Sequence, residues 1–218
     1  ALFNLGNALY GRGENGKAAE AFKAFLRLKP TSNFEWQAKR ILGTILQEQG
    51  KDDEAISFYK QAADANPEDS LSYHNLAILL RQIDKLEEAV DAYETYLRLE
   101  PENWKAWLNL AQSYETLGKT DDAIKAYRSA VSINPDFLSA HYNLGIHYFS
   151  RGVFDQAAKS FSKAVGLSPD FLNARIGLAK SYQQIGQYDQ AIQEYRHTLS
   201  LNPGNPEARS SLEALLEL

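Results

Sequence analysis

Three acidic pairs, Asp52-Asp53, Glu87-Glu88 and Asp121-Asp122, are the first residues in this chain whose types match a known chemistry. Two carboxylates held close together can split their pKa values and work as general acid and base. Four histidines, His74, His141, His147 and His197, have the side chain most often used to bind metal or shuttle protons. Gly11, Gly13 and Gly16 spell G-x-G-x-x-G, the spacing of a loop that cradles a dinucleotide phosphate. The surrounding pattern gives each of these a structural role instead. Every acidic pair opens a helical stretch, where the helix dipole favours negative charge by about 0.3–1 kcal/mol. No histidine has a histidine four residues on, there is no H-E-x-x-H, and His141 falls at a packing position. The three glycines lie between two helical patterns rather than after a strand, and Gly13 shares its slot with Gly50, Gly118, Gly152 and Gly186. There is no G-x-S-x-G, no phosphate loop and no basic–aromatic strip. The expectation is a chain without catalytic residues, metal or cofactor, and not an enzyme.

Composition narrows the partners. Lys and Arg total 23 against 28 Asp and Glu, a net charge of −5 in 218 residues, so no basic surface points to nucleic acid. Apolar runs such as Ala77–Leu80 are far too short for membrane insertion. With no cysteine, disulfides and thiolate metal sites are ruled out. The sequence opens at Ala1 inside a helical pattern, without an initiator methionine, and reads as an N-terminally truncated or processed form. A cytoplasmic location is expected.

The elements that carry these residues are clearest from Trp104 to Pro135. Trp107, Leu110, Ala111 and Tyr114 make one helical stripe, Gly118 stops it, and Ala123, Tyr127, Ala130 and Ile133 make a second that ends at Pro135. The closing prolines Pro30, Pro67, Pro101, Pro135, Pro169 and Pro203 recur every 34 residues, with one step of 37. Within that frame one slot reads Leu5, Leu42, Leu76, Leu110, Leu144 and Leu178, and the next is always small: Gly6, Gly43, Ala77, Ala111, Gly145 and Ala179. A second small slot is Ala18, Ala55, Ala89, Ala123, Ala157 and Ala191, followed four residues on by Phe22, Tyr59, Tyr93, Tyr127, Phe161 and Tyr195. Helices can approach closely only where side chains are small, and a ring fills the gap beside them.

Period and residue types together resemble the tetratricopeptide repeat. The resemblance covers nearly the whole chain and implies an all-α fold, a right-handed superhelical α-solenoid of antiparallel helix pairs. The repeats read as a truncated first copy (1–32), an insertion (33–35), five further copies (36–69, 70–103, 104–137, 138–171 and 172–205) and a capping helix (206–218). Ser32 or Asn33 is placed to cap the helix after the insertion. Asp84 stands where other copies have the break glycine, and the turn should survive because Asp tolerates a left-handed backbone. Pro206 suits a first helical turn, and Leu212, Leu215 and Leu216 are expected to form the apolar stripe of the cap.

In that family the first helices of successive repeats line a concave groove. Carried over, the groove would present Arg40, His74, Arg81, Lys105 and Lys180, with Tyr142, Ile146, Phe149 and Ile176 as an anchoring pocket. One slot reads Asn4, Asn75, Asn109 and Asn143, interrupted by Ile41 and Gly177. An Asn amide can donate to and accept from a peptide backbone together. Helix pairs about 10 Å apart would meet roughly every third residue of an extended strand rising about 3.3 Å per residue. This is similar to the asparagine ladder in the repeat arm of O-linked N-acetylglucosamine transferases, and Asn75, Asn109 and Asn143 are the candidates for ligand contact. The carboxylate clamp of chaperone-binding members is a rival: Arg40, Asn75 and Lys105 fit it, but Thr44 and Asn109 do not. The function expected is a non-catalytic protein–protein interaction scaffold or adaptor, holding an extended peptide with acidic or apolar character. The alternatives are a substrate-recruiting arm of a larger glycosyltransferase, or a scaffold that self-associates.

Overall fold

A computed structural model describes residues 1–28 and 34–217. Ser32 and Asn33, the expected cap, lie outside the described residues. Helices follow one another as α1 (Leu2–Gly11), α2 (Asn15–Arg27), α3 (Glu35–Glu48), α4 (Asp52–Ala65), α5 (Ser70–Gln82), α6 (Leu86–Leu99) and α7 (Trp104–Thr116). They continue as α8 (Thr120–Ile133), α9 (Leu138–Ser150), α10 (Phe154–Leu167), α11 (Leu172–Gln184), α12 (Tyr188–Leu201) and α13 (Pro206–Leu216). The fold is an all-α solenoid, and no strand occurs among the described residues. By its internal contacts the chain forms two compact units, Ala1–Leu117 and Gly118–Leu218. In each, neighbouring helices pack in chain order, so burial is local and repeats from pair to pair.

The turn between paired helices is set by one residue. Gly118 has φ +71°, a left-handed backbone that costs glycine nothing. Asp84 adopts the same conformation at φ +62°, so the turn does survive its substitution. Close approach within a pair is set by the small slots. All six alanines of the second slot, from Ala18 to Ala191, are fully buried. A Cβ on Gly6 would lie 2.7 Å from the Phe22 ring, on Gly43 2.8 Å from Tyr59, and on Gly145 2.6 Å from Phe161. The glycines are therefore the space into which the rings pack, and burying each such ring is worth about 1.5–3 kcal/mol.

A second recurring device secures the loops. Six residues after a closing proline, a side chain donates a hydrogen bond back to the proline carbonyl. Trp107 Nε1 donates to Pro101 at 2.8 Å, His141 Nε2 to Pro135 at 2.8 Å, Arg175 Nε to Pro169 at 2.7 Å, and Arg209 Nη2 to Pro203 at 2.8 Å. Indole, imidazole and guanidinium serve equally because only an N–H at that reach is needed. His141 is thus a buried structural donor.

Two packing details differ from the sequence expectation. Leu5 is half exposed where its counterparts are buried, because α1 packs chiefly against α2 alone. In α13 the buried positions are Ala208 and Leu215 with Leu212 packed beside them, while Leu216 is exposed. Ala208, Leu212 and Leu215 lie at i, i+4 and i+7, one face of a helix, and Leu216 is turned about 100° from Leu215. Pro206 does occupy the first turn, and Asn205 caps it by accepting from the Ala208 amide at 2.9 Å.

Candidate functional site

The acidic pairs sit in the first turns of α4, α6 and α8, where the helix dipole accounts for them. They also bridge neighbouring helices. Lys60 Nζ lies 2.7 Å from Glu88, Lys85 lies 3.9 Å from Asp53, and Arg151 pairs with Asp121. The Lys60 hydrogen bond and charge hold the Glu88 carboxyl below its ordinary range. No group of His, Cys, Asp and Glu among the described residues could hold a metal ion. No helix among them is long and apolar enough to cross a membrane.

In the first unit the predicted groove residues are largely engaged by other side chains of the same chain. Arg40 Nε lies 3.1 Å from Asp69, a buried carboxylate that also accepts from Ser72 Oγ at 2.5 Å. Its guanidinium stands 5.8 Å from the Trp36 ring. His74 packs against Tyr96 with ring centres 4.7 Å apart and planes tilted by 39°, and burial pushes its imidazole pKa down. Arg81 reaches Gln112 at 3.3 Å. Lys105 is exposed, its ammonium 5.6 Å from the Trp104 ring. Asn75 and Asn109 are half buried in successive first helices. Asn109 and Arg81 stand next to the Tyr93 hydroxyl without completing a hydrogen bond of normal geometry. Tyr59 donates to Gln47 Oε1 at 2.9 Å and lies 3.2 Å from Thr44. Burial raises the pKa of both phenols, so they stay protonated donors.

In the second unit the floor changes character. Asn143 Nδ2 donates to the Tyr127 hydroxyl at 2.8 Å, leaving its carbonyl oxygen for another partner. On the same helix Tyr142, Ile146 and Phe149 come together with Ile176 of α11 around a cavity of about 340 Å³. Phe161 and Gly177 also line it. Tyr142 is braced by Phe161 and Phe171, at 5.9 and 4.7 Å between ring centres, and Phe149 by Phe154 at 5.1 Å. Lys180 and Glu207 form an ion pair at the rim of the cavity. In α11, Arg175 is 7% exposed and bound at 2.6 Å to Glu194. The sequence reading missed Phe161, Gly177 and Glu207 as lining residues. The signal was present in the break of the Asn slot at Gly177, where the ring of the preceding helix, Phe161, has no hydroxyl.

The arrangement offers half-buried amides, a few mostly neutralised cations and one open apolar cavity, which is equipment for holding another chain. Comparison with curated proteins found no match. Among solved structures, the MamA protein superposes with TM-score 0.66 at 22% identity, over 79% of this chain and 94% of that one. YrrB, described as a TPR protein with an unusual peptide-binding site, gives 0.69 at 19% identity over 89% and 99%. A tetratricopeptide repeat protein from Parabacteroides merdae gives 0.63 at 19% over 99% and 97%. Tetratricopeptide repeat profiles match residues 3–70, 74–136, 116–171 and 148–216. With that coverage, and the small-slot and ring packing behind it, the chain belongs to the tetratricopeptide repeat family.

Proposed function

We propose that this protein-interaction scaffold binds an extended partner segment along its first helices, with one large apolar side chain seated in the cavity at Tyr142, Ile146, Phe149 and Ile176. The observation that carries the reading is that cavity: about 340 Å³, open, and walled by rings and aliphatics, among them Ile146 at 41% exposure. Cavities of that size and lining are where proteins take up ligand groups. Asn75 and Asn109 in the first unit, and separately Asn143 in the second, add hydrogen bonds to the partner's backbone, which fix register more than they add affinity. Arg40 and Lys180 already have carboxylate partners in Asp69 and Glu207. The segment is therefore selected for apolar rather than acidic character, with Lys105 left to meet an anionic group.

A peptide-display selection on this chain and on its Asn75→Ala/Asn109→Ala/Asn143→Ala variant tests the proposal. An enriched motif with one fixed apolar position, weakened in the variant, is the expected result. Failure of any motif to enrich on the wild-type chain would overturn it.

A further inference from the structure

We infer that Phe161 and Gly177 are the specificity determinant of the groove, opening it for one aromatic side chain, an indole, of the bound segment. The inference rests on the groove reading above and names what that reading leaves open.

It begins with a correlation inside the chain. The ring of each second helix is followed by the groove-slot residue of the next first helix, 16 residues later except across the 33–35 insertion, where the step is 19. Where the ring is Tyr59, Tyr93 or Tyr127, the slot is Asn75, Asn109 or Asn143, and Tyr195 is followed by Ser211. Where the ring is phenylalanine, the slot has no hydrogen-bonding side chain: Ile41 after Phe22, and Gly177 after Phe161. The geometry supplies the reason. Asn143 bonds the Tyr127 hydroxyl, Asn109 stands at that of Tyr93, and Ser211 at that of Tyr195. Phenylalanine offers an Asn nothing to bond, so an amide there would be half buried without a partner.

At Ile41 the slot is refilled by a partly buried aliphatic chain. At Gly177 no side chain refills it, and the Phe161 ring itself lies against the backbone. A Cβ on Gly177 would lie 2.7 Å from the Phe161 ring, and one on Gly145 would press the same ring at 2.6 Å. Phe161 therefore packs between two glycines, and the ring seated against Gly177 forms a floor of the cavity from which no side chain at position 177 projects.

Size and charge pick the occupant. An apolar cavity of about 150 Å³ holds benzene, and this one is about 340 Å³, so a two-ring system fits. Aromatic faces are electronegative and their edges electropositive. The rim places a cation and an anion side by side, Lys180 and Glu207, suited to the face and the N–H edge of an indole. An aliphatic side chain uses neither.

The test transplants the Tyr127–Asn143 pair one repeat along. Free indole is titrated into the wild-type chain, into Phe161→Tyr/Gly177→Asn, and into Ile146→Glu, with the isotope-labelled Ile176 methyl and the amide of residue 177 followed by NMR. Saturable shifts in the wild type, with binding at least tenfold weaker in both variants, are expected. The new pair copies one the chain already contains, but a Cβ at 177 has to displace the ring at 161, so cooperative melting of the double variant is checked first. Ile146→Glu alters only an exposed wall and gives the answer if the double variant misfolds. Undiminished indole binding in the folded variants, or no shift at Ile176 in the wild type, overturns the inference. A display motif that depends on the asparagines but fixes no aromatic position would overturn it too, while leaving the groove reading in place.

Discussion

His74 shows how one half-buried side chain can carry a pH dependence. It packs against Tyr96, whose hydroxyl accepts from Asn103 Nδ2 at 2.6 Å, and burial lowers its pKa from about 6.5. A depressed folded pKa means that the unfolded chain takes up the proton first on acidification. Stability from keeping His74 neutral is thus complete above about pH 6.5 and is lost as pH falls through the folded value. We expect the melting temperature to drop between pH 7.5 and pH 5 by less in His74→Phe, which keeps the ring packing without the titration. Equal drops in the two proteins would show that other groups carry the effect. Single positions were readable in the sequence when their partner was a neighbour in the repeat, as with Ala123 and Tyr127. They were not readable when the partner lay in a loop: nothing at Arg40 announces that the buried Asp69 will take its charge.

At the scale of helices and turns, repetition made the pattern legible, and the exceptions show what each device contributes. Asp84 holds a backbone conformation that glycine holds in the equivalent turns. Asp84→Gly removes steric strain and adds some unfolded-state entropy, for a net gain of about 0.5 kcal/mol, while Gly118→Ala should cost about 1 kcal/mol. Urea denaturation of the two variants checks both signs. The donor six residues after four of the closing prolines was not anticipated, because tryptophan, histidine and arginine share no pattern until the common acceptor is seen. Arg175 carries the largest load of the four, since it also neutralises Glu194. Arg175→Ala strands a partly buried carboxylate and frees the Pro169 carbonyl, so the loss should be about 3 kcal/mol, the low end for a broken buried pair because Glu194 is 22% exposed. A smaller loss in Arg175→Ala/Glu194→Gln than in the single variant would confirm that the stranded charge is the cause.

For the whole molecule, a chain whose helices pack on sequence neighbours should respond to damage locally. Period, helix count and core slots were legible because each repeat states the same packing problem again. The cavity was only half legible: its walls follow from apolar residues on a polar face, but its floor depends on how Phe161 and two glycines meet across three helices. The same locality gives a last prediction. Ala208 is fully buried and packs with Ala179, Ala191, Tyr195 and Leu215, which ties α13 to the two helices before it. Ala208→Asp puts a charge into that cluster, where it can neither be hydrated nor paired. Nothing in α1 to α6 shares the cluster, so hydrogen exchange should show amides of α11, α12 and α13 losing most of their protection while those of α3 to α6 keep theirs. A uniform loss along the chain would mean that the repeats unfold as one cooperative body, and nearest-neighbour packing would then be the wrong description of what holds this protein together.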